Sequence, residues 1–250
     1  MEQQTTLGMN RTGIEMSPVD AARMEEGAEA MEVETNGPGY LEVRQEYASD
    51  EGLGSVPAPG TLKGMLTSGA YMLTGRRPQV FVDKLGERLA FERAGVRLYD
   101  TLLVKCDAAP GLISAEVVDE LRHFRYEEAE HFALIVEAIE GIGADPTAQT
   151  PCADLVGVEG MGLVQAMNDP RTSVSQSLHV MLDAELLDNA AWEMLIELAR
   201  SLGHDDVADR FDLALQQESK HLQYLRTLVG QLTLADADSG QGEALVEESH

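Results

Sequence analysis

A glutamate and a histidine occupy inward positions of a long, apolar-striped helix near the middle of the chain. Between Ser114 and Gly141, apolar residues recur at steps of three and four, the period of a helix that buries one face. Burying an ionised carboxylate without a partner costs on the order of several kcal/mol. We therefore expect a cation between Glu128 and His131, with further ligands elsewhere in the chain. The stripe consists of Val117, Leu121, Phe124, Glu128, His131, Ile135 and Ala138.

Three further stretches have the same period, and each carries glutamate on its apolar face. The predicted helices run from about residue 80 to 105, from Ser173 or Ser175 to Leu202, and from about 205 to 234. Gly95 lies one turn after the first of these glutamates and costs about 1 kcal/mol relative to Ala, which would be explained if space were needed beside that carboxylate. The inward polar residues are Glu92 in the first helix, Glu185 in the third, and Glu218 with His221 in the fourth.

These polar positions form a duplication. A lone Glu is followed 36 residues later by Glu-x-x-His, and a second lone Glu is followed 33 residues later by another. The long connection from 141 to 171, with a short helix expected near 162 to 167, joins two helix pairs that have short connections of their own. We predict an all-α four-helix bundle of two antiparallel hairpins with one long crossover. Further Glu-x-x-His copies at 120–123 and 247–250 are off the stripe or in a tail.

The ends of the chain differ in composition from this predicted bundle at 80–235. Residues 1–60 carry twelve acidic and three basic side chains and no Phe or Trp, which predicts a disordered acidic tail. Residues 61–79 are expected to form a linker, and 236–250 a second disordered acidic tail.

The charge and cysteine content limit the partners and the compartment. The net charge of -26 argues against a nucleic acid or an anionic membrane surface as a partner. Two cysteines provide neither a disulfide framework nor a CxxC metal site, which fits a reducing cytoplasm. We find neither a secretion signal nor an apolar run long enough to span a membrane.

The order Glu, Glu-x-x-His, Glu, Glu-x-x-His resembles the ferritin-like di-iron carboxylate superfamily, as in rubrerythrins and bacterioferritins. The resemblance covers roughly residues 80 to 235. It implies that Glu128 and Glu218 bridge two metal ions. It also implies that Glu92 with His131, and Glu185 with His221, complete the two ligand shells.

The same resemblance suggests residues that orient the ligands. Such families commonly place Asp before each Glu-x-x-His glutamate, where this chain has Glu127 and Gln217. Asp188 is similar in placement to the additional carboxylate of rubrerythrins, and either an extra ligand or a hydrogen-bond partner of Trp192 or a histidine fits that position. Tyr99 is expected to be a core residue rather than a redox tyrosine.

The donor set independently favours particular metals. Four carboxylates neutralise two divalent cations, and hard oxygens with two imidazoles suit two Fe ions, or Mn, better than a thiolate-seeking metal. A metal-free bundle with buried Glu and His pairs is the less favoured alternative.

Three classes of function follow from these features. The leading hypothesis is a cytoplasmic di-iron enzyme of ferroxidase or peroxidase type, which needs dioxygen or peroxide and an electron donor. A manganese catalase or a hydroxylase is a variant of it, and a homodimer is compatible with the sequence. The alternatives are a subunit of an iron-storage cage and a helical scaffold whose acidic tails bind a partner.

Overall fold

The computed structural model describes residues 18–31, 38–49, 55–59, 61, 64–66, 69 and 77–247. Within these residues the secondary structure is helical, with no β-strand. The chain divides into two compact units, Gln3–Gly52 and a larger unit that contains Leu53–His250. The prediction of an all-α protein is confirmed.

The smaller unit contains two short helices, α1 (Pro18–Ala30) and α2 (Pro38–Ser49). They lie within the stretch for which the sequence predicts disorder. No residue of α1 is buried, in keeping with an acidic composition that cannot form a core. Disorder of this stretch in solution stays a prediction, and residues 1–17, 32–37 and 50–54 lie outside the described residues.

Between residues 77 and 247 of the larger unit, the structure has four long helices and two short ones. The long helices are paired in sequence order, and the first also packs against the third and the second against the fourth. This is the predicted bundle of two hairpins. The helices are α3 (Pro78–Ala108), α4 (Ala115–Gly141), α5 (Pro151–Glu159), α6 (Met161–Asn168), α7 (Val174–Leu202) and α8 (Asp205–Glu247).

The ends of the long helices follow local sequence signals. Ser114 caps α4 by accepting a hydrogen bond from the backbone N–H of Val117, and Ser173 forms a capping box with Gln176 at the start of α7. Gly203 ends α7 in the left-handed region at φ 84°, which glycine adopts without steric cost. Serine at the start of a helix and glycine at its end are the residue types that these positions favour.

The crossover contains one helix more than predicted. The short helix near 162–167 is α6, and α5 precedes it. Thr150 caps α5, and Pro151 follows at its first position, a start signal that the sequence analysis overlooked. A methyl group at Gly86 of α3 would overlap the Thr150 side chain, so this glycine lets the crossover lie close to the bundle.

The last helix continues beyond the predicted end of the bundle. The sequence predicts a disordered tail from residue 236, whereas α8 extends to Glu247. Residues 235–238 are exposed, so the packing ends where the sequence predicts, although the helix does not. Mobility of this end stays a prediction, and residues 248–250 lie outside the described part. No helix in the described ranges is both long and apolar enough to cross a membrane.

The core of the bundle is divided into two apolar clusters. One contains Leu102, Leu121, Leu178 and Leu225, and the other contains residues from the opposite halves of the same four helices. Along each of the four helices, the predicted ligands lie between residues of one cluster and residues of the other. The members of the second cluster include Phe81, Leu85, Ile135, Ala138, Trp192, Leu195, Ala208 and Phe211.

Candidate metal centre

The polar layer between the apolar clusters brings together all six residues predicted as ligands. The exposed fraction of each is 3% or less. They form two groups, and within each group one ligand atom per residue lies within 4.8 Å of the others. We call them the three-ligand group, Glu92, His131 and Glu218, and the four-ligand group, Glu128, Glu185, Glu218 and His221.

Glu218 of α8 connects the two groups. Its Oε1 lies 2.5 Å from Nδ1 of His131, and its Oε2 lies 3.3 Å from Nδ1 of His221. Each oxygen of the Glu218 carboxylate therefore faces a different imidazole, and the predicted bridging role of Glu218 stays a prediction. Glu128 belongs to the four-ligand group alone, so its predicted bridging role stays a prediction.

The outer nitrogens of both histidines are hydrogen-bonded across the bundle. Nε2 of His131 donates to Oε1 of Gln217 at 3.0 Å, and Nε2 of His221 donates to Oε2 of Glu127 at 2.8 Å. Gln217 also donates to Oε1 of Glu127 at 2.6 Å, which closes a polar chain from one histidine to the other. Glu127 and Gln217, which were expected to orient the histidines, therefore accept hydrogen bonds from them.

These hydrogen bonds determine which nitrogen of each neutral ring can bind a cation. A neutral imidazole that donates through Nε2 carries its lone pair on Nδ1. Nδ1 of His131 and of His221 face the carboxylates, and neither has a hydrogen-bond partner. Both Glu218 oxygens are likewise buried without a hydrogen-bond donor.

Tyr99 is buried and binds one of the predicted ligands. Its hydroxyl donates to Oε1 of Glu185 at 2.5 Å. Burial, together with the negative charge of Glu185, raises the pKa of Tyr99 well above its usual value. The neutral phenol therefore acts as a hydrogen-bond donor within the core.

Arg88 is the main residue that the sequence analysis missed. It is 2% exposed and contacts the polar layer. Its Nη2 lies 2.6 Å from Oδ1 of Asp188, and its Nε lies 3.0 Å from Oε1 of Glu92. Spacing could have predicted this inward position, because Arg88 precedes Glu92 by four residues and so shares its helix face.

The contact with Arg88 also shows how Asp188 is held in the core. Asp188 forms an ion pair with Arg88, whose Nη1 also donates to the Asp188 carbonyl oxygen. Among the described residues, the structure shows no hydrogen bond from Trp192 or from a histidine to Asp188, because Nε1 of Trp192 and, apart from that ion pair, both Asp188 carboxylate oxygens have no hydrogen-bond partner. Asp188 is thus held by a guanidinium rather than by an aromatic nitrogen. A role of Asp188 as an extra metal ligand stays a prediction.

Asn189 is a second residue that the sequence analysis missed. Its amide donates to the backbone carbonyls of Glu185 at 3.0 Å and of Glu218 at 3.1 Å, and its own oxygen accepts from Ser219 at 3.0 Å. It therefore ties α7 to α8 at the level of the ligands. The sequence feature that could have indicated this role is an amide side chain one helical turn after Glu185.

The space provided by Gly95 is used by a different carboxylate from the one expected. We expected room beside Glu92, on the same helix. A Cβ at position 95 would instead overlap Oε2 of Glu128, which approaches from α4. The glycine is needed for contact between helices.

Burial and mutual repulsion make the cluster a strong binder of positive charge. The pKa values of Glu92 and Glu218 are raised well above their usual range by burial and by neighbouring carboxylates, and that of Glu185 is raised to about 8. Burial alone would lower the pKa of His221, but Glu127 and the other carboxylates raise it to about 10. The hydrogen bond from His221 lowers the pKa of Glu127 to about 2 against the effect of burial.

The off-register Glu-x-x-His copy provides an internal comparison. Its histidine, His123, has an exposed side chain and reaches only Oε1 of Glu127, at 3.5 Å. The other extra copy ends at His250, outside the described residues. Register with the apolar stripe therefore separates the buried motifs from the exposed one.

The residues present fit a pair of hard divalent cations. The four predicted carboxylate ligands carry the charge that two such ions would neutralise, and Asp188 is already balanced by Arg88. The ligand nitrogen and oxygen atoms that lack hydrogen-bond partners lie close together, and they are of the donor types that iron and manganese accept.

Comparison with known proteins agrees with the fold. No curated protein and no solved structure was found to match the chain. Residues 83–231, which include all six predicted ligands, match the family described as ferritin-like domain. The chain belongs to the ferritin-like domain family.

Proposed function

We propose that this protein binds two divalent metal ions, iron in the first place, and acts as an oxidoreductase on Fe(II), peroxide or dioxygen. The observation that carries the proposal is the convergence of four carboxylates and two imidazoles from four helices in one buried layer. Membership of the ferritin-like family supports the same assignment.

Charge balance favours a metal pair over a metal-free core. The polar layer holds six buried acids against one buried guanidinium and two histidines. The acids are Glu92, Glu127, Glu128, Glu185, Asp188 and Glu218. A fold tolerates buried charges when each has a partner, whereas an unpaired buried charge costs on the order of several kcal/mol. Two divalent cations supply the charge that the four predicted ligand carboxylates lack.

The chemistry that a pair of iron ions supplies is a two-electron change, since two Fe(II) ions that become Fe(III) release two electrons, enough with two protons to convert peroxide into two waters. The protein residues hold the ligands in place around that reaction. Glu127 and Gln217 fix the histidine rings, Tyr99 fixes Glu185, and the two apolar clusters keep bulk water from the layer. The electron donor is proposed to be Fe(II) itself or a separate protein.

The test measures metal binding before activity. Metal-free protein is titrated with Fe(II) without oxygen, and we expect about two ions per chain. The loaded protein is then mixed rapidly with peroxide or with oxygen, and the faster oxidation identifies the oxidant. Protein that takes up neither iron nor manganese would contradict the proposal.

Variants connect the metal to the predicted ligands. Glu128→Ala and Glu218→Ala should each lose the metal pair. Glu120→Ala provides a matched control because it removes the glutamate of the off-register copy on the same helix as Glu128, and it should still bind two ions. Equal loss of metal in all three variants would indicate a general effect on folding instead of loss of a ligand.

A further inference from the structure

The duplicated ligand set is symmetric in sequence, but its surroundings differ between the two groups. Each half of the chain contributes one lone Glu and one Glu-x-x-His. The structure nevertheless gathers three ligand residues in one group and four in the other. We propose that the four-ligand group binds the first divalent ion and that the three-ligand group binds the second with an affinity at least about tenfold lower. This unequal loading presupposes the metal pair of the proposed function.

The number of ligands is the first reason for unequal binding. In the four-ligand group, Glu128, Glu185, Glu218 and His221 all offer an atom within 4.8 Å of the others. In the three-ligand group, only Glu92, His131 and Glu218 do so. An ion in the four-ligand group therefore gains one additional carboxylate contact without rearrangement of the side chains.

The partners of the two histidines differ in the same direction. His221 donates to the carboxylate of Glu127, whereas His131 donates to the side-chain amide of Gln217. A carboxylate acceptor makes the opposite ring nitrogen a stronger donor to metal than a neutral amide does. His221 is therefore the better ligand of the two, although both rings are equally buried.

The partners of the two lone glutamates provide a third difference. Oε1 of Glu92 lies 3.0 Å from the guanidinium of Arg88, a permanent positive charge, whereas Glu185 accepts a hydrogen bond from the neutral hydroxyl of Tyr99. A guanidinium draws electron density from Glu92 and repels a cation next to it. Arg88 therefore weakens the three-ligand group, and among the described residues no lysine or arginine pairs with Glu185.

Loading of the full-length, metal-free protein with Mn(II) tests the order of binding. Calorimetry under anaerobic conditions should resolve two steps whose affinities differ by about tenfold or more. Electron paramagnetic resonance should show isolated Mn(II) after one equivalent and coupled Mn(II) pairs only after two. Two steps of equal affinity, with coupled pairs already abundant at one equivalent, would overturn the unequal loading but not the proposed function. Absence of any Mn(II) and Fe(II) binding would overturn the proposed function itself.

Matched variants test which group is the tighter one. Glu92→Gln should keep the tight step and lose the weak one, whereas Glu185→Gln should lose the tight step and leave a single weak site. The opposite pattern would overturn the assignment. Circular dichroism and thermal unfolding of both variants check that each is folded before titration.

Glu127→Gln tests the cause without removing a ligand, and it keeps the proposal falsifiable if a ligand variant fails to fold. It replaces the carboxylate that His221 contacts with an amide like that of Gln217. The tight step should weaken about tenfold, which brings the two affinities closer together. A change confined to the weak step, or no change in either, would count against the proposal.

Discussion

Gly95 of α3 and the carboxylate of Glu128 on α4 occupy adjoining space, so that a methyl group on the glycine would overlap Oε2 of the glutamate. The atom in the way is the far end of a flexible side chain and can move at little cost in packing. It is also an oxygen proposed to bind metal. The absence of a side chain at residue 95 therefore affects the site more than the stability of the helix.

We predict that Gly95→Ala will fold but lose metal. Alanine favours the helix by about 1 kcal/mol relative to glycine, while its methyl group displaces the Glu128 carboxylate. Elemental analysis should find one metal ion per chain or none. Gly230→Ala in α8 is the control, since nothing lies within 4 Å of a Cβ there, and it should bind two ions and be slightly more stable. Two tightly bound ions in Gly95→Ala would contradict the prediction.

Tyr99→Phe should destabilise the metal-free protein. The substitution removes the donor to Oε1 of Glu185 inside the core, at a cost of about 1–3 kcal/mol. Urea unfolding of metal-free protein measures this difference. Tyr126→Phe alters an exposed tyrosine and should change the free energy of unfolding by less than about 0.5 kcal/mol. Equal stability of the two variants would show that the hydroxyl of Tyr99 contributes nothing.

Arg88→Met should be among the most destabilising single changes in the bundle. It leaves Asp188 buried without its ion-pair partner and removes the contact with Glu92, at a cost of about 3–5 kcal/mol. Chemical unfolding should show a smaller loss in the double variant Arg88→Met/Asp188→Leu, which removes both members of the pair.

The control for the buried arginine is an exposed one. Arg122 pairs with Asp119 on the surface of α4, and Arg122→Met should cost no more than about 1 kcal/mol. If the two arginine variants lost the same stability, the buried pair would have no special role.

The stability of the metal-free protein should fall as the pH rises from about 5.5 to 8. The pKa of Glu185 is near 4.5 in the unfolded chain and is raised to about 8 in the fold, so the folded state binds more protons in this window. His221, raised from 6.5 to about 10, changes stability in the same direction above pH 6.5.

Melting temperatures at several pH values check this prediction. Bound cations replace these protons, so the difference in melting temperature between loaded and metal-free protein should grow with pH. A metal-free protein that becomes more stable between pH 5.5 and 8 would contradict the assigned directions.

The helices and their inward residues could be predicted because they depend on local periodicity. A residue three or four positions from an apolar neighbour shares its helix face whatever the rest of the fold does. Glu128 and His131 were recognisable for that reason, and both are buried in the structure. Arg88 obeys the same rule, since it precedes Glu92 by four residues, but an arginine is seldom buried and so was not recognised as an inward residue.

The sequence by itself determined that four striped helices pair as two hairpins and that six polar residues face inward, because the helical period and the connection lengths are local properties. Only the tertiary structure decided which side chains meet across the helices. The partners Glu127 with His221, Arg88 with Asp188, and Gly95 with Glu128 depend on the rotation and axial offset of packed helices. The rotation and the axial offset depend on how whole helix surfaces fit together, and they cannot be predicted from the spacing of residues along one helix.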